Sequence, residues 1–188
     1  MKSGVIILIV VVLALVLGGC EFVGVRNNLA KEKEAINGQW SQVDADLQRR
    51  ADLIPNLVET VKGYAKEETS VVQSVANARA ALGGARTPEE KIAANNQLDG
   101  ALGRLLVVVE NYPNLKANEN FRQLQFELAG TENRILQSRR RYNEAVQKYN
   151  TDLSLFPANI VASMSGYQRE DAYFKTAPDA RTVPKVQF

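Results

Sequence analysis

An uncharged, strongly apolar run from Gly4 to Gly19 constrains this chain more than any other feature of its sequence. The run follows Lys2 and the amino terminus and ends in small residues, which is the arrangement of an export signal. A helix through this run and on to Val25 would be about 30 Å long, close to the hydrocarbon thickness of a bilayer. The sequence therefore predicts insertion in a membrane, with Lys2 inside and the long polar region carried across.

The end of the apolar run has two interpretations, and the sequence leaves both open. In the first, the run stays in place as a signal anchor. In the second, Leu17–Cys20 is a lipobox: a peptidase cuts before Cys20, and the thiol receives a diacylglyceryl group that adds about 0.8 kcal/mol of membrane affinity per buried methylene. Cys20 is the only cysteine of the chain. If Cys20 is lipidated, Glu21 follows it in place of a retaining aspartate, so outer-membrane sorting stays open.

The composition of the chain argues against several classes of function. The chain has 23 Lys and Arg against 21 Asp and Glu, a balance that does not indicate a nucleic-acid partner. It has no histidine, the usual general base and the commonest metal ligand. Hydrolase triads and histidine-ligated zinc are thereby excluded. We predict no catalytic residue, no metal and no cofactor.

Apolar residues recur at helical spacing from Asn27 onward, and the chain is predicted to be all-α. The predicted helices span about 27–51, 53–82, 88–110 and 118–152, followed by a short helix at about 158–164 and an extended tail. The seam of the first helix places Trp40 in the core and is interrupted only by Lys33 and Arg50. In the fourth, bulky residues from Phe121 to Tyr149 recur every seven positions and alternate with small ones, as interlocking packing requires.

Two helix junctions carry specific signals. Pro55 cannot donate a helical hydrogen bond, and Asp52 can cap a new helix. The apolar register nevertheless continues through Pro55, which favours one long kinked helix. Such a helix would leave half of its apolar stripe uncovered without a partner chain, so we predict a tight turn there. Thr87–Glu90 is a capping box and predicts the start of the third helix.

Several motifs together resemble one protein family over the chain from its anchor to its last residue. They are Arg49–Ala65, Tyr112–Asn118, Arg140–Asn143, Phe156–Pro157 and Pro184–Phe188. The pattern resembles the LemA family of bacterial membrane-anchored proteins. The resemblance implies an antiparallel up-and-down four-helix bundle held outside the cytoplasmic membrane. It implies no established enzymatic activity and no catalytic residues, and family members often occur beside membrane-bound metalloproteases, which hints at a supporting role.

Domain boundaries and one candidate surface follow from this resemblance. We predict a membrane anchor at 1–25, a LemA-like helical bundle at 26–167 and an extended tail at 168–188. The motif residues concentrate at the turns near Pro55 and Pro113, which an up-and-down bundle places at the same end, away from the anchor. We therefore hypothesise a surface for a protein partner there. Its candidate residues are Tyr112, Asn114, Lys116 and Asn118.

Three classes of function are compatible with these features. The first is a non-enzymatic, membrane-tethered interaction or scaffold protein that supports membrane proteostasis, with a membrane metalloprotease as one candidate partner and self-association as a further expectation. The second is a binder of lipids or small ligands in the bundle core, near the small residues Ala93, Gly100 and Gly103.

The third and least favoured class is a carboxylate hydrolase. Asp44 and Asp46 point to different sides of a helix, and the acidic pairs 67–68 and 89–90 have the pattern of ordinary helix charge and capping. Nothing in the sequence brings two acids onto one apolar face.

Overall fold

A computed structural model describes residues 2–65 and 67–175 of the 188-residue chain. Within those residues the chain is all-α, as predicted, and contains no strand. The helices are α1 (Lys2–Tyr64), α2 (Thr69–Gly84), α3 (Pro88–Val109), α4 (Pro113–Ala117), α5 (Glu119–Asp152) and α6 (Ala158–Ser165).

Residue contacts divide the chain into two units. Unit 1 comprises Met1–Gln39 and Glu144–Asp171, and unit 2 comprises Trp40–Asn143 and Ala172–Phe188, so α1 and α5 contribute to both. The predicted boundaries of anchor, bundle and tail stay predictions.

Unit 2 is an antiparallel four-helix bundle built from α1, α2, α3 and α5. Consecutive helices are joined by short connections and contact each other again far from those connections. Arg79 of α2 reaches Ala51 of α1, and Arg104 of α3 reaches Ser74 of α2. Such contacts require each helix to run back along its predecessor. The core of this bundle is apolar and fully buried at Val43, Leu47, Ile54, Leu57, Val61, Val75, Leu98, Leu105, Leu115, Phe121 and Ile135.

The predicted turn at Pro55 is wrong, because α1 continues through this proline to Tyr64. Proline leaves the carbonyl four residues before it, that of Ala51, without its helical donor. Arg79 Nε of α2 donates to this oxygen at 2.9 Å, so the position keeps a hydrogen bond without a helical amide. The predicted helices 27–51 and 53–82 are therefore replaced by α1 and the shorter α2.

The break between α1 and α2 also shifts the apolar register. Leu57 and Val61 are buried as predicted, but Tyr64 is 45% exposed and Val71 is only partly buried. Beyond the break the buried residues of α2 begin at Val72. Ala65, Glu67 and Glu68 are not helical, so the rotational phase of the second helix is set by its packing and not by the first.

The other predicted helices agree with the structure to within one or two residues. At the start of α3, Thr87 Oγ1 accepts from the Glu90 amide at 3.2 Å, and a Glu90 carboxylate oxygen accepts from the Thr87 amide, so the predicted capping box is confirmed. In α5 the bulky residues that recur every seven positions are buried, except Leu128, which is partly buried. Trp40 is partly buried in unit 2, where its ring contacts Tyr142 at a centroid distance of 5.3 Å.

In unit 1 the first part of α1 is uncovered by protein. Its large apolar side chains between Ile6 and Leu17 are 49–71% exposed. This segment is long and apolar enough to cross a membrane.

The described part of the predicted tail has no helix or strand, and asparagines of α5 bind its main chain. In unit 1 the Asn150 side chain donates to the Glu170 carbonyl at 2.7 Å and accepts from the Glu170 amide at 2.9 Å. In unit 2 Asn143 binds both main-chain groups of Phe174 in the same way. The Phe156–Pro157 peptide bond is cis. The motif Pro184–Phe188 lies outside the described residues.

Candidate functional site

The α4 surface, defined by Tyr112, Asn114, Lys116 and Asn118, lies in unit 2 beside the break between α1 and α2. Asn118 Nδ2 donates to the Tyr64 hydroxyl oxygen at 2.9 Å, and the Tyr112 hydroxyl donates to Glu68 Oε1 at 3.4 Å. The connection after α1 and the connection after α3 therefore meet at one end of this bundle, although the first lies after Tyr64 and not at Pro55. The motif residues Asp52–Leu57 do not belong to this end, because α1 continues past them.

Two of the four predicted residues have structural roles on this surface. Asn118 precedes α5, and its Oδ1 accepts from the Phe121 amide at 3.0 Å, which satisfies a free donor of the first turn. Tyr112 directly precedes α4 and is partly buried. Burial, reinforced by the negative charge of Glu68, raises the pKa of the Tyr112 phenol, so this group stays a neutral hydrogen-bond donor.

The other two residues face solvent. Asn114 is exposed, and Lys116 is 57% exposed while paired with Glu110 at 2.6 Å. Leu115, between them, is fully buried and fastens α4 to the core of unit 2. The α4 surface is thus a short helix held by one apolar anchor and two side-chain hydrogen bonds. It presents polar side chains to solvent in a defined geometry.

A second feature of unit 2 is an apolar cleft of about 550 Å³ between α1, α3 and α5. A ligand cavity was predicted near Ala93, Gly100 and Gly103. Of these three residues, Gly103 lines the cleft and the other two do not. Its lining residues are Arg50, Leu57, Asp99, Leu102, Gly103, Leu106, Gln125, Leu128, Ala129 and Glu132.

A network of charges lies at one side of this cleft. Arg50 is buried, and its Nη1 contacts Asp99 Oδ1 at 2.5 Å, Asn95 Oδ1 at 3.1 Å and Glu132 Oε2 at 3.2 Å. Arg139 Nη2 lies 3.6 Å from Asp99 and its guanidinium lies over the Phe174 ring. Two cations thus face two anions. Both carboxylates are paired with arginine.

The acids considered for a hydrolase are held in structural contacts or stand at the surface. Asp44 pairs with Lys91 of α3, and Asp46 accepts a hydrogen bond from Gln42. Amides of Arg86 and Thr87 hold the pKa of the Glu90 carboxyl below its usual value. Within residues 2–65 and 67–175, no group of three or more Cys, Asp or Glu is arranged to hold a metal ion.

Unit 1 contains Cys20 and, further along α1, a charged cluster. Cys20 is exposed and lines a cleft of about 470 Å³ with Glu21, Leu155 and Ala158. Further along α1, Glu32 pairs with Lys148, which also contacts Asp152 at 2.8 Å. Burial raises the pKa of Glu32, while the bond from Lys148 lowers that of Asp152 and the two carboxylates raise that of Lys148.

Most residues of the Arg50 network, and the contact of Arg79 with Ala51, were not predicted from the sequence. Arg50 was visible as a cation on an apolar seam, which is a signal for a buried ion pair. Its partners Asp99 and Glu132 could not be identified, because they lie on other helices whose rotation is set by packing. Arg79 carried no signal, since the carbonyl that it binds belongs to a helix predicted to end.

The chain is similar in sequence to one protein family and to several known proteins. The family model described as the LemA family matches residues 39–188. Protein LemA of Metamycoplasma hominis is 25% identical over 88% of this chain and 74% of its own length. Magnetosome protein MamQ 2 of Paramagnetospirillum magneticum is 25% identical over 83% of this chain and 66% of its own length. This chain spans slightly less than two thirds of that magnetosome protein.

Proposed function

Because the chain belongs to the LemA family, we propose that it is a membrane-anchored, extracytoplasmic interaction or scaffold protein that binds a protein partner without catalysing a reaction. The observation that carries this proposal is the construction of the α4 surface. Leu115 is fully buried while the flanking Asn114 and Lys116 remain exposed. A surface that is fixed before binding loses little conformational entropy on association.

The anchor is the apolar part of α1. Its uncovered side chains favour a lipid environment, and Lys2 before the run favours a cytoplasmic amino terminus and an exported polar region. Protease added to intact spheroplasts should digest the polar region of the full chain. Protection of that region until the membrane is dissolved would overturn the proposed sidedness.

Both modes of anchoring are compatible with this topology. The intact mass of the protein extracted from host membranes separates them. A species that starts at a lipidated Cys20 identifies a lipoprotein, whereas the full-length mass identifies a membrane-spanning α1.

Partner binding at the α4 surface is tested by site-specific photo-crosslinking in the host. We expect a crosslinker at Asn114 to capture a discrete partner, with a membrane metalloprotease as one candidate and a second copy of this chain as another. The matched control is Glu89, an equally exposed position near the start of α3.

A charge reversal provides the second arm of this test. Lys116→Glu should reduce recovery of the crosslinked partner, and Arg86→Glu, a reversal at an exposed residue before α3, should not. Equal capture from Asn114 and Glu89 with a folded protein would exclude a specific α4 surface.

A second candidate function is the binding of one small apolar ligand or acyl chain in the cleft of unit 2. The observation that favours it is that Leu57, Leu102, Leu106 and Leu128 line the cleft, which suits an apolar ligand. Gly103 lines the cleft, and space beside it accepts a side chain. Gly103→Leu should therefore abolish retention of a long-chain fatty alcohol in native mass spectrometry. The control Gly100→Leu alters an exposed glycine outside the cleft and should leave retention unchanged.

We assign no hydrolase activity. The acidic residues considered for a hydrolase form ion pairs, cap a helix or lie at the surface, which supports this assignment. Turnover of a generic ester or glycoside that disappears in Asp99→Asn or Glu132→Gln would contradict this assignment.

A further inference from the structure

The segment from Leu153 to Tyr167 in unit 1 carries no charged residue, although much of it faces outward. It contains α6 and the turn before it. Four of its large apolar side chains are exposed, Leu155 by 55%, Phe156 by 79%, Ile160 by 50% and Met164 by 72%. An uncharged helix with this much exposed apolar surface is unusual for a protein surrounded by water.

α6 is apolar on its buried side, and its exposed side carries Ile160 and Met164 beside the polar Asn159 and Ser163. Val161 and Ala162 are buried against protein, whereas Ile160 and Met164 point away from it. Ile160 and Met164 are four residues apart and share one face of α6, and Phe156 in the preceding turn is exposed as well. A helix that packs on a core with one side and meets water with the other would carry polar residues on its outer side. The exposed apolar side chains of α6 therefore favour a second apolar environment.

The position of α6 identifies that environment. Phe156 and Ile160 line one cleft of about 400 Å³ with Gly18, Phe22 and other residues of α1. These α1 residues directly follow the apolar run that begins at Gly4. At 1.5 Å per residue, this run accounts for most of the roughly 30 Å hydrocarbon thickness, so residues 18–25 reach the headgroup boundary. The exposed face of α6 is thus continuous with the apolar surface of the anchor.

We propose that α6 and the preceding turn lie in the interface of the bilayer that α1 enters, with Phe156, Ile160 and Met164 among the lipid headgroups and upper acyl chains. This inference rests on the membrane anchoring proposed above. The occupant is lipid and not a second copy of the chain, because the apolar face joins the surface of the anchor without an intervening charged residue other than Glu21. Unit 1 would then have two membrane contacts, which restricts its tilt.

The test measures the depth of a fluorescent probe in the full chain. The Cys20→Ser protein is reconstituted into vesicles of phosphatidylcholine and phosphatidylglycerol, and single cysteines are labelled with a nitrobenzoxadiazole group. Met164→Cys and Phe156→Cys report on α6. Leu13→Cys is the reference for the membrane interior, and Glu144→Cys, exposed on α5 in the same unit, is the reference for water. Lipids that carry a quencher near the headgroup or deep in the acyl chain then locate each probe.

We expect both α6 probes to be quenched more strongly by the shallow lipid than by the deep one, because an interfacial helix inserts by about 5–10 Å. Leu13→Cys should respond most to the deep quencher, and Glu144→Cys should respond to neither. Water-like behaviour of both α6 probes, with Leu13→Cys quenched, would overturn the interfacial position while leaving the anchor intact. α6 probes that are shielded from water yet unquenched by lipid indicate a protein cover and also overturn it. An unquenched Leu13→Cys contradicts the anchoring itself.

Discussion

Arg79 Nε donates a 2.9 Å hydrogen bond to the main-chain oxygen of Ala51, the carbonyl that Pro55 leaves without a helical donor. The two residues lie on different helices, α2 and α1. This contact offsets part of the cost of a proline inside α1, and it ties α2 to the point where α1 would otherwise be weakest. The proline and the arginine are therefore expected to be energetically coupled.

Arg79→Met should destabilise the protein by about 1.5–3 kcal/mol, because hydrogen bonds from charged groups contribute in this range. In a Pro55→Ala background the Ala51 carbonyl regains an amide partner, so the same substitution should cost less than about 1 kcal/mol. Urea unfolding of the full chain in detergent micelles, followed by far-ultraviolet circular dichroism, measures both. The control Arg104→Met removes an exposed bond to Ser74. Equal costs of Arg79→Met in the two backgrounds would contradict the coupling.

In the Arg50 network, removing the two anions should destabilise the protein more than removing the cation. Asp99→Asn combined with Glu132→Gln leaves a buried cation without anionic partners, and we expect a loss of about 3–5 kcal/mol in the free energy of unfolding. Arg50→Met removes the buried charge, and both carboxylates are about one third exposed and can hydrate. Arg50→Met should therefore lower the free energy of unfolding by less than the double variant does. The same unfolding measurement compares them, and a larger loss for Arg50→Met than for the double variant would refute this interpretation.

The capping box of α3 predicts a pH dependence of stability. Amides of Arg86 and Thr87 lower the pKa of Glu90 below its ordinary value of 4.5. A lowered carboxyl pKa means that the unfolded chain binds the proton more readily, so stability from this group is present above 4.5 and is lost as the pH falls through the folded pKa. Glu90→Gln should flatten the acid limb of unfolding free energy against pH. Glu89→Gln, in the same turn, is the control, and an identical flattening there would rule out the cap as its source.

The α4 surface combines a structural residue with an exposed one, and the two can be separated. Asn118→Ala removes the cap of α5 and should cost about 1 kcal/mol, whereas Asn114→Ala should stay within about 0.5 kcal/mol because this residue is exposed. Thermal unfolding of both variants in micelles provides the comparison. Loss of partner binding in Asn114→Ala at unchanged stability supports recognition; a matching loss of stability would assign the residue to the fold.

The break between α3 and α5 was predictable in outline. Tyr112–Asn118 stood out because proline and asparagine have strong local preferences at helix ends. The division of these residues into Asn118 and Tyr112, which hold the turn, and Asn114 and Lys116, which face solvent, was not predictable. It depends on the contacts with Tyr64 and Glu68, whose location follows from where α1 ends.

The sequence by itself determined the apolar start of α1, the all-α class, the start of α3 at its capping box and the seven-residue repeat of bulky residues in α5. Each of these depends on composition, periodicity or hydrogen bonds between near neighbours. Only the tertiary structure decided that α1 continues through Pro55, that the register of α2 restarts at Val72, and that Arg50 is buried against Asp99 and Glu132. Those outcomes depend on whether a side chain from another helix supplies the missing donor, acceptor or charge, and local sequence does not encode that distance.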